Sequence, residues 1–201
     1  MFTRSQFEAT CKAFSRRHSE WTWVDGHTPG YGYLTRTTSH FYKAFNSHSR
    51  YLIHPASTEL ENEEEDEATA QPAQPILTAR EFVVYSASFS VPAFYFTIHD
   101  TNGAPLSLMD ILRTSLFKSD LPGGSEATDF ALTFPSASFP LLSQGDHPTL
   151  GTPCWYLHPC ESDTAVGEFL REVEQPDWNE ESRLVRWLEL WLMVVGSVLI
   201  L

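Results

Sequence analysis

The chain has 201 residues, is 42% hydrophobic and 13% aromatic, and carries a formal net charge of −13. That is enough apolar material for one buried core, and it excludes a disordered chain. No cluster of Lys and Arg exists to neutralise phosphates, which excludes nucleic acid as the expected partner.

The charge is unevenly placed. Glu59 to Glu67 holds seven of the 26 acidic residues, leaving 19 acids against 13 bases in the rest of the chain. Such a protein can attract a basic partner and gain association rate. The cysteines are Cys11, Cys154 and Cys160, odd in number and without a Cys-x-x-Cys pair. Neither a disulfide framework nor a zinc site is expected from them. No glycine-rich phosphate loop or nucleotide motif occurs, so no cofactor and no direct use of ATP are expected. The first residues contain no apolar stretch like a signal peptide, and the cytoplasm is the default compartment.

In chain order, Phe2, Phe7, Cys11 and Phe14 recur near helical spacing, with Arg16 and Arg17 toward the end of an amphipathic helix. An extended stretch begins at Trp21–Val24 and continues through Gly30–Leu34, with a turn at Pro29-Gly30. From Asn46 to Pro75 the pattern is lost. The acidic run and the Ala, Thr, Gln and Pro that follow predict a flexible, solvated insertion at about 55–76 within a single domain spanning 1–201. Two strands are then expected, Phe82–Phe89 and Ala93–His99, with Pro92 at a break or an edge. Asp100–Gly103 is a turn, and Ser107 caps a helix through Arg113, with Asp110 three residues on. Phe130–Phe134 is a short strand of weak pattern.

Trp155–His158 reads as extended, with Cys154, Tyr156 and His158 on one face and Trp155 and Leu157 on the other. Pro159 holds His158 in extended geometry. Ser162 or Asp163 can cap a helix through Arg171, and a last helix begins near Trp178–Ser182. The apolar tail from Leu184 is interrupted by Arg186 and Glu189, so its unbroken part, Leu190–Leu201, is shorter than the ~20 residues a membrane span needs. A core element explains it better than a tail anchor, and no stable membrane insertion is expected.

Cys160 thus sits where a strand gives way to a helix, a setting that exposes sulfur to backbone N–H groups able to stabilise a thiolate or an oxyanion. Cys11 and Cys154 read as core residues. The surrounding words are more specific. His147-Pro-Thr-Leu-Gly-Thr-Pro-Cys154-Trp-Tyr-Leu-His158-Pro-Cys160 resembles the active-site region of the autophagy-related protein 10 family. Tyr85–Phe96, Gly103–Ile111 and Trp187–Val198 resemble further blocks of the same family in the same order, so the resemblance covers about residues 80–201. The acidic insertion and the end at Leu201 depart from it.

That resemblance implies a ubiquitin-conjugating-like α+β fold, a curved antiparallel sheet with flanking helices. It implies that Cys160 carries autophagy-related protein 12 as a thioester, received from the activating enzyme autophagy-related protein 7. The acceptor would be a lysine of autophagy-related protein 5, and partners could recruit the chain to preautophagosomal membranes. His158, His147, Ser162 and Asp163 are supporting candidates. Each of the two histidines can hold a turn or move a proton, and Ser162 and Asp163 can cap a helix. The rival functions are a non-catalytic module that binds modifier or acceptor, a cysteine hydrolase using one of the eight histidines, and a tail-anchored protein.

Overall fold

The computed structural model describes residues 3–43, 74–118, 122–159 and 162–201. Helix α1 (Arg4–Arg17) starts in a capping box. The Thr3 hydroxyl accepts from the Gln6 N–H at 3.2 Å, and the Gln6 side chain accepts from the Thr3 N–H at 3.0 Å. Arg16 and Arg17 fall in its last turn, where the helix dipole favours them. The strands are β1 (Thr22–Val24), β2 (Tyr33–His40), β3 (Leu77–Ser86), β4 (Val91–His99), β5 (Glu126–Ala127), β6 (Ala131–Thr133), β7 (Leu142–Asp146) and β8 (Pro153–Leu157). Helix α2 (Leu108–Ile111) follows β4, while α3 (Ser162–Val173) and α4 (Glu180–Val195) follow β8. All pairings are antiparallel, in the order β1-β2-β3-β4-β8-β7-β6-β5. The α+β class and the curved antiparallel sheet expected above are what the chain forms.

Alternation along the strands divides the sheet into two faces. Leu77, Ala79, Val83, Phe94, Phe96 and Trp155 join Phe7, Phe14, Leu188 and Trp191 in the main core under the helices. Tyr33, Phe82, Val84, Ala93 and Cys154 form a smaller cluster of their own. The apolar tail belongs to the main core. After α4 it makes a bridge between Leu199 and Phe117, and the Ile200 N–H donates to the Leu116 carbonyl at 2.7 Å. Among the described residues, no helix is long and apolar enough to cross a membrane.

Several boundaries differ from expectation. Strand β3 starts at Leu77 and ends at Ser86, because Arg80 and Glu81 interrupt its apolar pattern without interrupting the strand. Of the predicted insertion, only 74–76 is described, leading into β3 without regular structure; the acidic run lies outside the described residues. Strand β7 carries Ser143, Gln144, Gly145 and Asp146, a composition that gives no strand signal, and is held in the ladder by β8. Helix α2 is a single turn, capped by Ser107 as predicted. Ser162 opens α3 and Asp163 is its second residue, so neither precedes the helix as an N-cap does. Pro92 lies in β4 opposite Tyr85, beyond the two rungs that join β4 to β8, where its missing N–H removes no bond to β8.

Glu81 is fully buried on the core face. Its carboxylate accepts from Arg36 Nε at 2.7 Å and from the Thr38 hydroxyl at 2.8 Å, and the Arg36 guanidinium lies 4.5 Å above the Trp21 ring. Removing one partner strands the other charge in a site where Arg36 is only 11% exposed. Glu81→Ala should therefore lower the unfolding free energy by about 3–5 kcal/mol, read from urea denaturation against wild type.

Candidate active site

The candidate site grows from the β7–β8 hairpin, whose register runs from Asp146↔Pro153 at its turn to Leu142↔Leu157 at its open end. At the open end the His158 N–H donates to the Leu141 carbonyl at 3.0 Å, extending the ladder one residue past β8. Pro159 follows, buried, and α3 begins at Ser162. Cys160 itself lies outside the described residues, between these two fixed points. The first-turn N–H groups of a helix have no partner within it, and α3 begins two residues after Cys160 in the sequence.

Two loops close on His158. Phe89, from the β3–β4 turn, meets its ring edge-on at 5.3 Å and 73°. Phe139, from the β6–β7 loop, stacks on it at 5.4 Å and 13°. Each loop contains a serine in left-handed backbone geometry, Ser90 at φ 54° and Ser136 at φ 62°. Such residues are uncommon and concentrate where surrounding structure enforces them. His158 Nδ1 is buried and has no hydrogen-bond partner among the described residues.

Beside His158 and Pro159 opens a groove of about 630 Å³, walled by the 134–141 loop, Leu157, Ala165 on α3, and Trp191, Val194 and Val195 on α4. Among the described residues, no Asp, Glu, Lys or Arg side chain lines it. Its described lining suits an uncharged peptide segment or an apolar side chain. Among the described residues, no group of three or more His, Cys, Asp or Glu is placed to hold a metal. Sequence reasoning missed this groove and the two phenylalanines. Phe139 sits in an irregular loop and Phe89 in a turn, and nothing periodic marks either as facing His158.

His147 stands elsewhere. It follows β7 at the turn of the hairpin, roughly 20 Å along the strand from His158 at ~3.3 Å per residue. Its ring is fully buried, with Tyr33 and Phe82 each at 4.8 Å and Tyr95 at 5.9 Å. Nδ1 accepts from the N–H of Thr149 at 3.1 Å and of Leu150 at 3.2 Å. Burial pushes its pKa down to about 4, and the nearby Arg80 charge acts in the same direction. His147 therefore shapes the hairpin turn as a neutral ring. Cys11 and Cys154 are free and buried, and burial raises both thiols above their ordinary range. Protonated and inaccessible, they are poor nucleophiles. Tyr95 and Tyr156 stack at 5.1 Å on the face of the small cluster, and Tyr85 packs against the main core.

A helix-backed antiparallel sheet, with a strand ending in His-Pro at the start of a helix and an uncharged groove beside it, is the frame of a conjugating-enzyme fold. The chain belongs to the family described as autophagocytosis associated protein, active-site domain, which matches residues 6–201. It is 30% identical over 120 residues to the ubiquitin-like-conjugating enzyme ATG10 of Dictyostelium discoideum, a match covering 58% of this chain and 47% of that protein. It is 30% identical over 116 residues to ATG10 of Homo sapiens, covering 58% and 46%, and 26% identical over 152 residues to ATG10 of Schizosaccharomyces pombe, covering 76% and 71%. The matches span about half the length of the first two relatives.

The neutral, buried state of His147 makes stability depend on pH in one direction. Its unfolded value is about 6.5 and its folded value about 4, so the unfolded chain binds the extra proton between them. The penalty is absent above about pH 6.5 and grows as pH falls toward 4, by about 2–3 kcal/mol. Urea denaturation at several pH values should show this loss, and His147→Asn should show a smaller loss over the same window.

Proposed function

We propose that the chain is a ubiquitin-like-conjugating enzyme of autophagy, with Cys160 as its thioester-forming nucleophile. The observation that carries this reading is the family match over residues 6–201, which contains Cys160 at the junction of β8 and α3. The modifier is autophagy-related protein 12, delivered by autophagy-related protein 7, and the acceptor is a lysine of autophagy-related protein 5.

In the first step the Cys160 thiolate attacks the C-terminal glycine acyl carbon of the modifier, held as a thioester on the activating enzyme; the new C–S bond forms, the old one breaks, and the activating enzyme's sulfur leaves as thiolate. In the second, the neutral acceptor amine attacks the Cys160 thioester. A C–N bond forms, the C–S bond breaks, the amine proton passes to solvent or a nearby base, and Cys160 leaves as thiolate. Sulfur suits both steps, because it is nucleophilic near neutral pH and its thioester stays reactive toward amines. The uncharged groove beside His158 and Pro159 supports an acyl peptide as the bound group. The start of α3 supplies N–H donors suited to the oxyanion of each tetrahedral intermediate. The chain works in the cytoplasm and reaches preautophagosomal membranes through its partners.

A charging assay with activating enzyme, modifier and ATP tests this reading on gels run with and without reductant. Wild type and Cys154→Ser should form a reductant-sensitive adduct, and Cys160→Ser a reductant-stable one or none. No adduct on wild type, with a competent activating enzyme, would leave a non-catalytic binding module as the better account.

The same reading makes 1–201 one domain with an inserted acidic segment. His40 at the end of β2 pairs with Leu77 at the start of β3, so the strands flanking the insertion are already neighbours. Loop-closure entropy changes slowly with length. Deleting 55–73 should thus change unfolding free energy by no more than about 1 kcal/mol and leave charging intact, measured by urea denaturation and the same gel assay.

A further inference from the structure

Strand β8 loses its partners just where the candidate site begins. Its pairing with β4 ends at Tyr95↔Tyr156, although β4 itself runs on to Val91 against β3. On the other side the ladder to β7 ends at Leu142↔Leu157, and one bond follows, from the His158 N–H to the Leu141 carbonyl at 3.0 Å. Pro159, next in the chain, has no N–H to donate. No rung to β4 therefore holds the end of β8, and its hold on the β7 side is a single bond.

Side chains supply what the ladder lacks there. Phe89, from the β3–β4 turn, meets the His158 ring edge-on at 5.3 Å, and Phe139, from the 134–141 loop, stacks on it at 5.4 Å and 13°. Both separations lie in the range at which aromatic rings attract. Burial does not account for the two phenylalanines, since Phe89 is 40% exposed and Phe139 57%. Their loops are also strained. Ser90 directly follows Phe89 and has φ 54°, and Ser136, three residues before Phe139, has φ 62°; among the described residues these are the two non-glycine residues with positive φ. Such conformations persist where the surroundings enforce them, and they cluster at functional sites. Here both lie in the loops that grip one histidine.

We propose that Phe89 and Phe139 are positioning residues for the conjugation reaction. Together they clamp the His158 ring and so fix the end of β8 from which the chain leaves for Cys160. They act through His158 and touch neither modifier nor acceptor. The proposal rests on the conjugating-enzyme reading, and on Cys160 only through its place in the sequence, two residues after the clamped ring. A fixed strand end restricts the conformations open to the short link that follows. Less freedom is then lost when the reacting groups align.

A double-mutant cycle tests the clamp. Phe89→Ala, Phe139→Ala, His158→Ala and their pairs are compared in charging, and in discharge of the preformed thioester to free hydroxylamine, which needs no docking surface. Each phenylalanine variant should discharge about threefold to tenfold more slowly, the scale of one aromatic pair. Phe139→Tyr keeps the stack and should stay within about twofold of wild type. In the His158→Ala background, neither phenylalanine substitution should slow discharge further. An equal loss in both backgrounds, or slower charging with unchanged hydroxylamine discharge, would mean that the rings contact a partner and would overturn the positioning role. Urea midpoints of the phenylalanine variants should stay within about 0.5 M of wild type; a larger drop would make the loss one of folding and also overturn it. If wild type forms no thioester, the conjugating-enzyme reading fails and this role falls with it. A wild-type thioester without the coupling to His158 removes the clamp alone.

Discussion

Two rungs hold this molecule's sheet together. Tyr95↔Tyr156 and Phe96↔Trp155 are the pairs by which β4 meets β8, and they join β1–β4 to β5–β8. Their side chains serve both faces. Phe96 and Trp155 enter the main core, and Tyr95 and Tyr156 stack on the other side. A short ladder is weak in hydrogen bonds, so packing on both faces must hold the register. A one-residue slip would exchange the two faces of β8 and put Cys154 and Tyr156 under the helices.

The site depends on that junction. With β8 seated between β4 and β7, its open end comes beside the β3–β4 turn on one side and the β6–β7 loop on the other, which brings Phe89 and Phe139 onto His158. The same seating sends the chain from Pro159 into α3, which packs on α4, and the remaining space between α4 and the 134–141 loop is the groove. Groove, aromatic grip and helix start are thus consequences of one strand's position.

Polar groups inside the fold are handled in two ways. Glu81 and Arg36 are paired with each other, with Thr38 and Trp21 completing the surroundings. His147 is kept neutral and used as an acceptor among aromatic rings. His40 joins the first network, since Thr38 bonds its Nε2 at 3.0 Å and Ser115 its Nδ1 at 3.2 Å, tying β2 to the segment after α2.

Local chemistry alone determined a good part of this protein. The spacing of Phe7, Cys11 and Phe14 specifies the buried face of α1, the alternation from Cys154 to Leu157 specifies the two faces of β8, and Ser107 starts α2. Arg186 and Glu189 interrupt the apolar C-terminal tail and leave an unbroken run, Leu190–Leu201, shorter than the ~20 residues a span needs, which marks it as a fold element. Proline before Cys160 sets the backbone ahead of the expected nucleophile. Only the tertiary structure decided the rest. That β7 is a strand, that Glu81 is a core residue, that His147 and His158 stand at opposite ends of one hairpin, and that Phe89 and Phe139 meet across a histidine are all products of contacts between residues far apart in sequence. Such contacts are set by which surfaces the whole chain can bury together, and no local window contains them.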